Sequence, residues 1–313
     1  MKIMEIVRYS PVYSTKWDDF VRKSKNGTFL FMRHYMDYHA DRFADHSLMF
    51  YQEGKLVALL PANEADSVLY SHQGLTYGGF ILSIHNSAVQ VLALMDILLQ
   101  YLREHDFVRL VYKCIPHIYH RYPAEEDLYA LFRKEARLMV RNLATVVPTK
   151  KMMKSSRLKR AKKRAEKESL RVEECGDAAI FWKIIEDDRW EQHGVKPLHT
   201  KEEMNLLQGY FPENIRFFLV KDAFENIFAG SVIYDSKIVT HLQYAAATRE
   251  GKDIYATDVL YYELINRLFP ENEYFDFGTS NENAGWYLNV GMSAHKEEFG
   301  GRGIAYDIYE IKI

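Results

Sequence analysis

The side chains best suited to chemistry lie in the second half of the chain, near the ends of segments typical of strands. Gln243 and Tyr244 end one such segment, where an amide or a phenol can hold a substrate carbonyl or orient an amine. Lys296 lies beyond the last of these segments, and an ammonium group stabilises a tetrahedral oxyanion in a water-poor site. His241 alternates with Gln243 along its strand and can serve as a base. These four residues are the predicted catalytic set.

Each of these assignments has an alternative that the residue types leave open. A lone histidine in a strand is more often a packed, hydrogen-bonded residue than a base. Lys296 with Glu297 also fits an ordinary exposed charge pair.

Further candidates for substrate binding occur in two loops. One precedes the strands and contains Gly194 and Pro197, which favour a loop conformation. The other follows a strand predicted at 274–277 and is expected to enter a short helix, so capping is the alternative for Ser280 and Asn281. The candidates in these two loops are His193, His199, Asn281, Trp286 and Asn289.

Several functional classes have no positive signal. There is no HExxH segment, phosphate-binding P-loop, catalytic-triad order or pair of catalytic carboxylates, so neither a metal nor hydrolase or kinase chemistry is predicted. Cys114 and Cys175 form no CxxC pair. The first nine residues lack the apolar run of a signal peptide, and no stretch reaches 18 uncharged apolar residues. We therefore expect a cytoplasmic protein without a transmembrane segment.

The charge is concentrated in one place. The segment 149–171 holds eleven Lys or Arg and two Glu, a charge of +9, whereas the remaining residues carry 30 basic and 41 acidic side chains. Its composition favours a lightly packed helix with exposed charges. Arg157, Arg160 and Arg164 follow at i, i+3 and i+7 and form a candidate row of phosphate ligands. A solvated helix whose charges only maintain solubility is the equally plausible alternative.

The two halves of the chain share one order of elements, namely three strands, a loop, an amphipathic helix and a fourth strand. The predicted segments are 47–51, 56–60, 68–72, 74–79, 88–104 and 107–112 in the first half, and 216–220, 227–234, 238–246, 248–253, 256–269 and 274–277 in the second. Such a unit is of mixed α/β type, with its fourth strand parallel to the third. We expect two similar domains, 1–148 and 172–313, with the basic helical segment 149–171 between them.

This order of elements resembles the GNAT acyltransferase fold, and its duplication around a basic helix resembles the tandem proteins of the FemABX-like superfamily. The segments that carry the resemblance span 190 to 302: WEQHGVKPLHT at 190–200, FPENI at 211–215, HLQY at 241–244, FDFGTS at 275–280 and KEEFGGR at 296–302. The first half matches more weakly, through Trp17, Phe20, the NGTF segment at 26–29 and the stretch 74–79.

The resemblance implies an acyl or aminoacyl transferase that acts on an amine of a small molecule or a cell-envelope precursor. It places Lys296 at a lysine proposed to stabilise the charged intermediate, and it implies that 303–313 returns to the first domain. No tightly bound cofactor is implied. The donor is acetyl-CoA, another acyl-CoA or aminoacyl-tRNA, and 248–252 has one glycine where CoA-dependent GNAT enzymes have two.

A different functional class remains open. The chain can also be a non-catalytic GNAT-fold protein that binds RNA or an anionic glycan through its basic helix. In either case the expected partners are a small-molecule or precursor acceptor and tRNA, but not DNA.

Overall fold

The structure is a computed structural model that describes residues 4–38, 40–151 and 153–313, apart from the side chains of residues 192 and 193. The chain forms two compact units. The first contains the chain up to Asn142 together with 281–287 and 305–313, and the second contains 143–280 and 288–304. Among the described residues, no helix combines the length and the apolar character needed to span a bilayer.

The elements of the chain up to residue 148 are β1 (Met4–Arg8), α1 (Ser14–Lys23), α2 (Arg33–Asp37), β2 (Ala44–Asp45), β3 (Leu48–Gln52), β4 (Lys55–Leu60), β5 (Asn63–Ala65), β6 (Val68–Tyr70), β7 (Ile81–Leu82), α3 (Ala88–Glu104), β8 (Arg109–Lys113), α4 (Glu126–Arg133) and β9 (Arg137–Pro148). Those that follow are α5 (Ser156–Lys167), β10 (Arg171–Cys175), α6 (Trp182–His193), α7 (Lys201–Tyr210), β11 (Ile215–Lys221), β12 (Ile227–Asp235), β13 (Val239–Ala247), α8 (Arg249–Asp253), α9 (Ala256–Glu263), β14 (Tyr274–Thr279), β15 (Asn281–Glu282), β16 (Tyr287–Leu288), α10 (Val290–Glu297) and β17 (Arg302–Lys312).

The first unit is built on helix α3 and two groups of strands. Strands β1, β3, β4 and β7 form one antiparallel sheet, whereas β6 pairs with β5 and, in parallel, with β8. Helix α3 begins at a capping box formed by Ser87 and Gln90. Its apolar stripe is buried in the core through Val91, Leu94, Met95, Leu98, Leu99 and Leu102. β17 pairs with β8 in this unit.

The glycine-bearing stretch of the first unit packs too closely for side chains. A Cβ atom at Gly78 would lie 1.9 Å from the carbonyl oxygen of Ser71, and one at Gly79, where φ is +85°, would meet the ring of Tyr112. Lys113, at the end of β8, connects this region to the strand through hydrogen bonds. Burial lowers the pKa of its amine to about 8. Its Nζ donates hydrogen bonds to the carbonyl oxygens of His72, Gln73 and Leu75 at 3.1, 3.0 and 2.6 Å.

The second unit has a mixed sheet with the strand order β10, β11, β12, β13 and β14, followed by residues 144–148 of β9. β13 and β14 are parallel, and the other neighbours are antiparallel. Val259, Leu260 and Leu264 anchor the crossover helix region to the core. The α-helix α9 ends at Glu263, and the predicted helix continues from Leu264 to Leu268 as a π-helix.

The predicted order of elements is confirmed in both halves, as is the parallel pairing of the third and fourth strands. The expectation of three adjacent antiparallel strands holds in the second unit but is wrong in the first, where β4 pairs with β7 rather than β6. The loop expected at 248–253 contains the short helix α8, which Thr248 caps. The unit boundary falls before residue 148 because 144–148 hydrogen-bond to β14.

The basic segment is less helical and more firmly packed than its composition suggests. Helix α5 covers Ser156–Lys167, with Ser155 as its N-cap, whereas Arg171 already begins β10. Leu158 and Ala161 are buried, and α5 packs along α9. The expected light packing is therefore wrong for this side of the helix.

Arg157 fastens α5 to the rest of the second unit. Its Nε and Nη2 donate hydrogen bonds to the two carboxylate oxygens of Asp258 at 2.8 and 3.0 Å, and its Nη1 donates to Glu298 at 2.5 Å. The guanidinium also lies 4.9 Å from the ring centre of Phe299. The Arg157 side chain is 17% exposed and that of Asp258 is 9% exposed, so water screens this pair only weakly.

We expect Arg157→Gln to lower the free energy of unfolding by about 2 to 3 kcal/mol, because it leaves the buried carboxylate of Asp258 without its cation. Arg160→Gln is the matched control, since Arg160 is exposed on the same helix, and should change stability by less than about 0.5 kcal/mol. Urea unfolding of both variants measures the difference. Equal effects of the two substitutions would show that the Arg157 contacts do not fasten the helix.

Candidate active site

A cavity of about 340 Å³ opens in the second unit where β13 and β14 separate. The two parallel strands pair only as far as His241 and Asp276, after which each continues without the other. The volume is at the lower end of those typical of small-molecule sites. The cavity is lined by Ile185, Asp188, Arg189, Leu242, Gln243, Tyr244, Ala245, Ala246, Tyr261, Phe277, Met292, His295, Lys296 and Phe299.

A bulge in β13 shapes the wall of this cavity. Val232 pairs with Tyr244 and the next residue, Ile233, pairs with Leu242, so Gln243 is an extra residue in its strand. The alternation of side chains along β13 is interrupted at this bulge. The prediction that His241 and Gln243 lie on one face of the strand is therefore wrong. Gln243 and Tyr244 both line the cavity.

Lys296 projects into the cavity from α10. Asn289 caps this helix by accepting a hydrogen bond from the backbone N–H of Met292 at 3.0 Å. The Nζ of Lys296 donates to the carbonyl oxygens of Gly278 and Thr279 at 3.0 and 2.9 Å. These two contacts leave one N–H for a ligand, since an ammonium has three. Burial lowers the pKa of Lys296 to about 8, an effect that the negative charge of Asp276 partly offsets.

Tyr244 carries a buried hydroxyl group at the cavity wall. Its Oη lies 2.9 Å from Nδ1 of His199, and its ring contacts Trp182 edge to face at 5.6 Å between centres. Burial raises the pKa of Tyr244, so its phenol is protonated at neutral pH and can donate a hydrogen bond. The structure thus brings His199 to the site through Tyr244. The side chain of His193 lies outside the described residues.

His241 contacts the buried end of the parallel strands rather than the cavity. Its Nδ1 lies 2.9 Å from Oδ2 of Asp276, whose side chain is fully buried. The other oxygen of Asp276 accepts a hydrogen bond from the backbone N–H of Gly278 at 2.7 Å. These contacts support the packed interpretation of His241, and they fix the turn whose carbonyl groups hold Lys296.

Three other candidates are not brought to this cavity. Asn281 belongs to the first unit, where its side-chain amide donates to the carbonyl of Gly285 at 3.1 Å. Trp286 is 85% exposed, and Asn289 is the helix cap already described. The short helix expected around 286–289 is wrong, because α10 begins only at Val290.

The three arginines of α5 do not form one exposed row. Arg157 is held by two carboxylates, and the guanidinium of Arg164 stacks 4.1 Å from the ring centre of Tyr255. Arg160 is exposed and contacts Ser156 of its own helix. The exposed cations of α5 are Lys159, Arg160, Lys162, Lys163 and Lys167.

Sequence reasoning missed four polar residues that line the cavity: Asp188, Arg189, Tyr261 and His295. Asp188 and Arg189 lie on α6, directly before the WEQHGV segment, and His295 directly precedes Lys296. That adjacency is the sequence signal that could have identified Asp188, Arg189 and His295. The Nε2 atom of His295 is buried without a hydrogen-bond partner, and burial lowers the pKa of this ring.

Within the described residues, no three His, Cys, Asp or Glu side chains lie close enough together to hold a metal ion.

Comparison with known proteins identifies the fold. No protein-family model matches the sequence, and no curated protein matches it. Among solved structures, FemX superposes with a TM-score of 0.72 at 11% identity, covering 99% of this chain and 97% of that one. The chain has a FemX-like tandem GNAT fold.

Two further structures support this assignment. L-PGS from Bacillus licheniformis superposes with a TM-score of 0.61 at 14% identity, and the match covers 97% of this chain and 93% of the L-PGS chain. A tandem GNAT protein from the clavulanic acid biosynthesis pathway has a TM-score of 0.56 at 10% identity, covering 99% and 98%. The resemblance inferred from the sequence is therefore confirmed at the level of the fold.

The lowered pKa of Lys296 predicts a pH dependence of stability. Between about 8 and the usual value of 10.5, the unfolded chain binds more protons at this residue than the folded protein, so its contribution to the free energy of unfolding rises with pH. Relative to Lys296→Met, the wild type should gain about 2 kcal/mol between pH 7 and pH 9.5. Urea unfolding at both pH values measures this gain, and a constant difference would mean that the lysine is not desolvated.

Proposed function

We propose that the chain transfers an acyl or aminoacyl group to an amine of a small molecule or a cell-envelope precursor. The observation that carries the proposal is the half-buried Lys296 ammonium, which lies on the cavity between the parallel strands with one N–H unused. The fold shared with FemX, L-PGS and a tandem GNAT protein supports the same reaction class.

The proposed reaction needs little beyond the groups already described. The neutral amine attacks the donor carbonyl carbon, a C–N bond forms, and the carbonyl electron pair moves to oxygen. The Lys296 ammonium then stabilises this oxyanion. Collapse of the intermediate expels the thiolate or hydroxyl oxygen of the donor, which takes up the proton that the nitrogen releases. His295 can accept that proton in transit, since its lowered pKa keeps the ring neutral at physiological pH.

The donor in this proposal is an acyl-CoA, including acetyl-CoA, or an aminoacyl-tRNA. A ligand that binds only the folded state raises the melting temperature by mass action, so a thermal-shift series with acetyl-CoA, longer acyl thioesters and aminoacyl-tRNA separates the two classes. If none of these compounds shifts the melting temperature, a non-catalytic protein that binds RNA or a glycan through α5 becomes the better account.

Lys296→Met tests the proposed role of the ammonium. The substitution keeps the apolar stem but removes the charge, so kcat and kcat/KM should fall together by at least about tenfold while substrate affinity stays nearly constant. With the wild type, kcat should decrease as the pH rises through about 8, because the cation is lost there. A rate that instead increases above pH 8 would make Lys296 a base, and an unchanged rate in the variant would remove it from the mechanism.

The exposed cations of α5 are proposed to contact phosphate groups of the donor or acceptor. Arg160, Lys163 and Lys167 follow at i, i+3 and i+7 and share one exposed face. Glutamine is also a good helix former, so replacing all three residues by Gln should preserve the helix. For a tRNA donor, the plot of log affinity against log salt concentration should become less steep by about 2. Binding is measured by fluorescence titration at several salt concentrations. An unchanged slope would mean that the exposed cations of α5 do not contact phosphate groups, and that α5 is a solvated helix whose charges only maintain solubility.

A further inference from the structure

Arg189 is a cation for which the described residues provide no carboxylate partner. It lies on α6, is partly buried and lines the cavity that contains Lys296. Its Nε atom is buried without a hydrogen-bond partner, and no ion pair is formed by its guanidinium among the described residues. Withdrawing such a group from water without a partner is unfavourable, so a partner supplied from outside the chain would be stabilising.

The acidic groups on the cavity wall and near His295 are already engaged. Asp188, its neighbour on α6, lies 2.8 Å from Nζ of Lys252. Asp258 and Glu298 both bind Arg157. The cavity is therefore lined by two cations, Arg189 and Lys296, and by one carboxylate, Asp188. The charge of Asp188 is balanced by Lys252, which does not line the cavity. This charge balance favours an anionic ligand.

We propose that Arg189 binds a carboxylate group of the amine acceptor, an assignment that rests on the proposed acyl transfer. A planar guanidinium matches a carboxylate through two parallel hydrogen bonds, which a lysine cannot reproduce. The phosphate groups of CoA or tRNA lie on carriers that are much larger than a cavity of about 340 Å³. An anionic group inside the cavity therefore belongs to the acceptor or to the transferred acyl group, and not to the CoA or tRNA carrier.

Chemistry assigns this anion to the acceptor. The acceptor amine must be neutral to attack, and the two cations of the cavity disfavour its protonated form. An uncharged amine contributes little to binding, so a second group must anchor the molecule. A carboxylate at Arg189 provides that anchor and leaves the amine free near the carbonyl that Lys296 polarises. The substrate class is thus a carboxylate-bearing amine, as in an amino acid or the end of a peptide.

The probes that test this subsite are N-acetylglycine and N-acetylglycinamide, which have nearly the same size and differ in the carboxylate. In ligand-observed NMR titrations, the wild type should bind N-acetylglycine at least about tenfold more tightly than the amide. Arg189→Met should abolish this preference, and Arg189→Lys should restore part of it. Lys183→Met is the control, because Lys183 is an exposed cation of the same helix, and it should keep the full preference.

Stability provides a second readout. Because Arg189 forms no ion pair among the described residues and its Nε atom has no hydrogen-bond partner, Arg189→Met should leave the melting temperature unchanged or raise it, in contrast to Arg157→Gln. A marked loss of stability would show that Arg189 supports the fold, which would overturn the proposal. The same conclusion would follow if inorganic phosphate bound in preference to N-acetylglycine, or if the preference survived in Arg189→Met.

Kinetics separates the subsite from the proposed function. In a transfer assay, N-acetylglycine should compete with the acceptor and not with the donor, whereas competition with the donor would overturn the assignment to the acceptor. A protein with the carboxylate preference but without transferase activity would retain the subsite and refute acyl transfer. Activity without the preference would refute the subsite alone.

Discussion

The separation of β13 from β14 after the pair His241 and Asp276 is the constraint on which the candidate site depends. Asp276 is fully buried and hydrogen-bonds both His241 and the backbone of Gly278, so the end of β14 has a fixed path. That path aims two backbone carbonyl groups at Lys296, and the bulge at Gln243 turns consecutive side chains toward the same space. A small number of backbone hydrogen bonds thus arranges groups from three different elements.

The two units each use a half-buried lysine, in different ways. In each unit burial lowers the pKa of one lysine to about 8, at Lys113 in the first and Lys296 in the second. Lys113 gives all three of its donors to carbonyl groups, which uses its hydrogen-bonding capacity for the fold. Lys296 gives only two. Lys296 therefore keeps one N–H that these hydrogen bonds within the fold do not use.

The sequence predicted the repeated elements because their signals are local. The apolar stripe of α3 and the apolar runs of β11 and β12 depend on residues that are close together in the sequence. The segments 241–244 and 296–302, which contain Gln243, Tyr244 and Lys296, were also singled out from the sequence, and all three residues line one cavity. The bulge was not predictable, since it depends on how β12 pairs with β13. The ion pairs of Arg157 were missed because Asp258 and Glu298 lie 101 and 141 residues further along the chain. The unsatisfied Nε atom of Arg189 was missed because it depends on tertiary packing and not on local sequence.

The packing of α5 has a consequence for how this segment can change over evolutionary time. Its inner side is constrained by Leu158, Ala161 and the carboxylates that Arg157 contacts, so substitutions there must preserve shape and charge together. Its outer side carries lysines and an arginine that are exposed to solvent. Those positions can exchange one cation for another, or shift a cation by one turn, while the surface charge stays the same. Divergent relatives should therefore retain the composition of this helix more faithfully than its residue order.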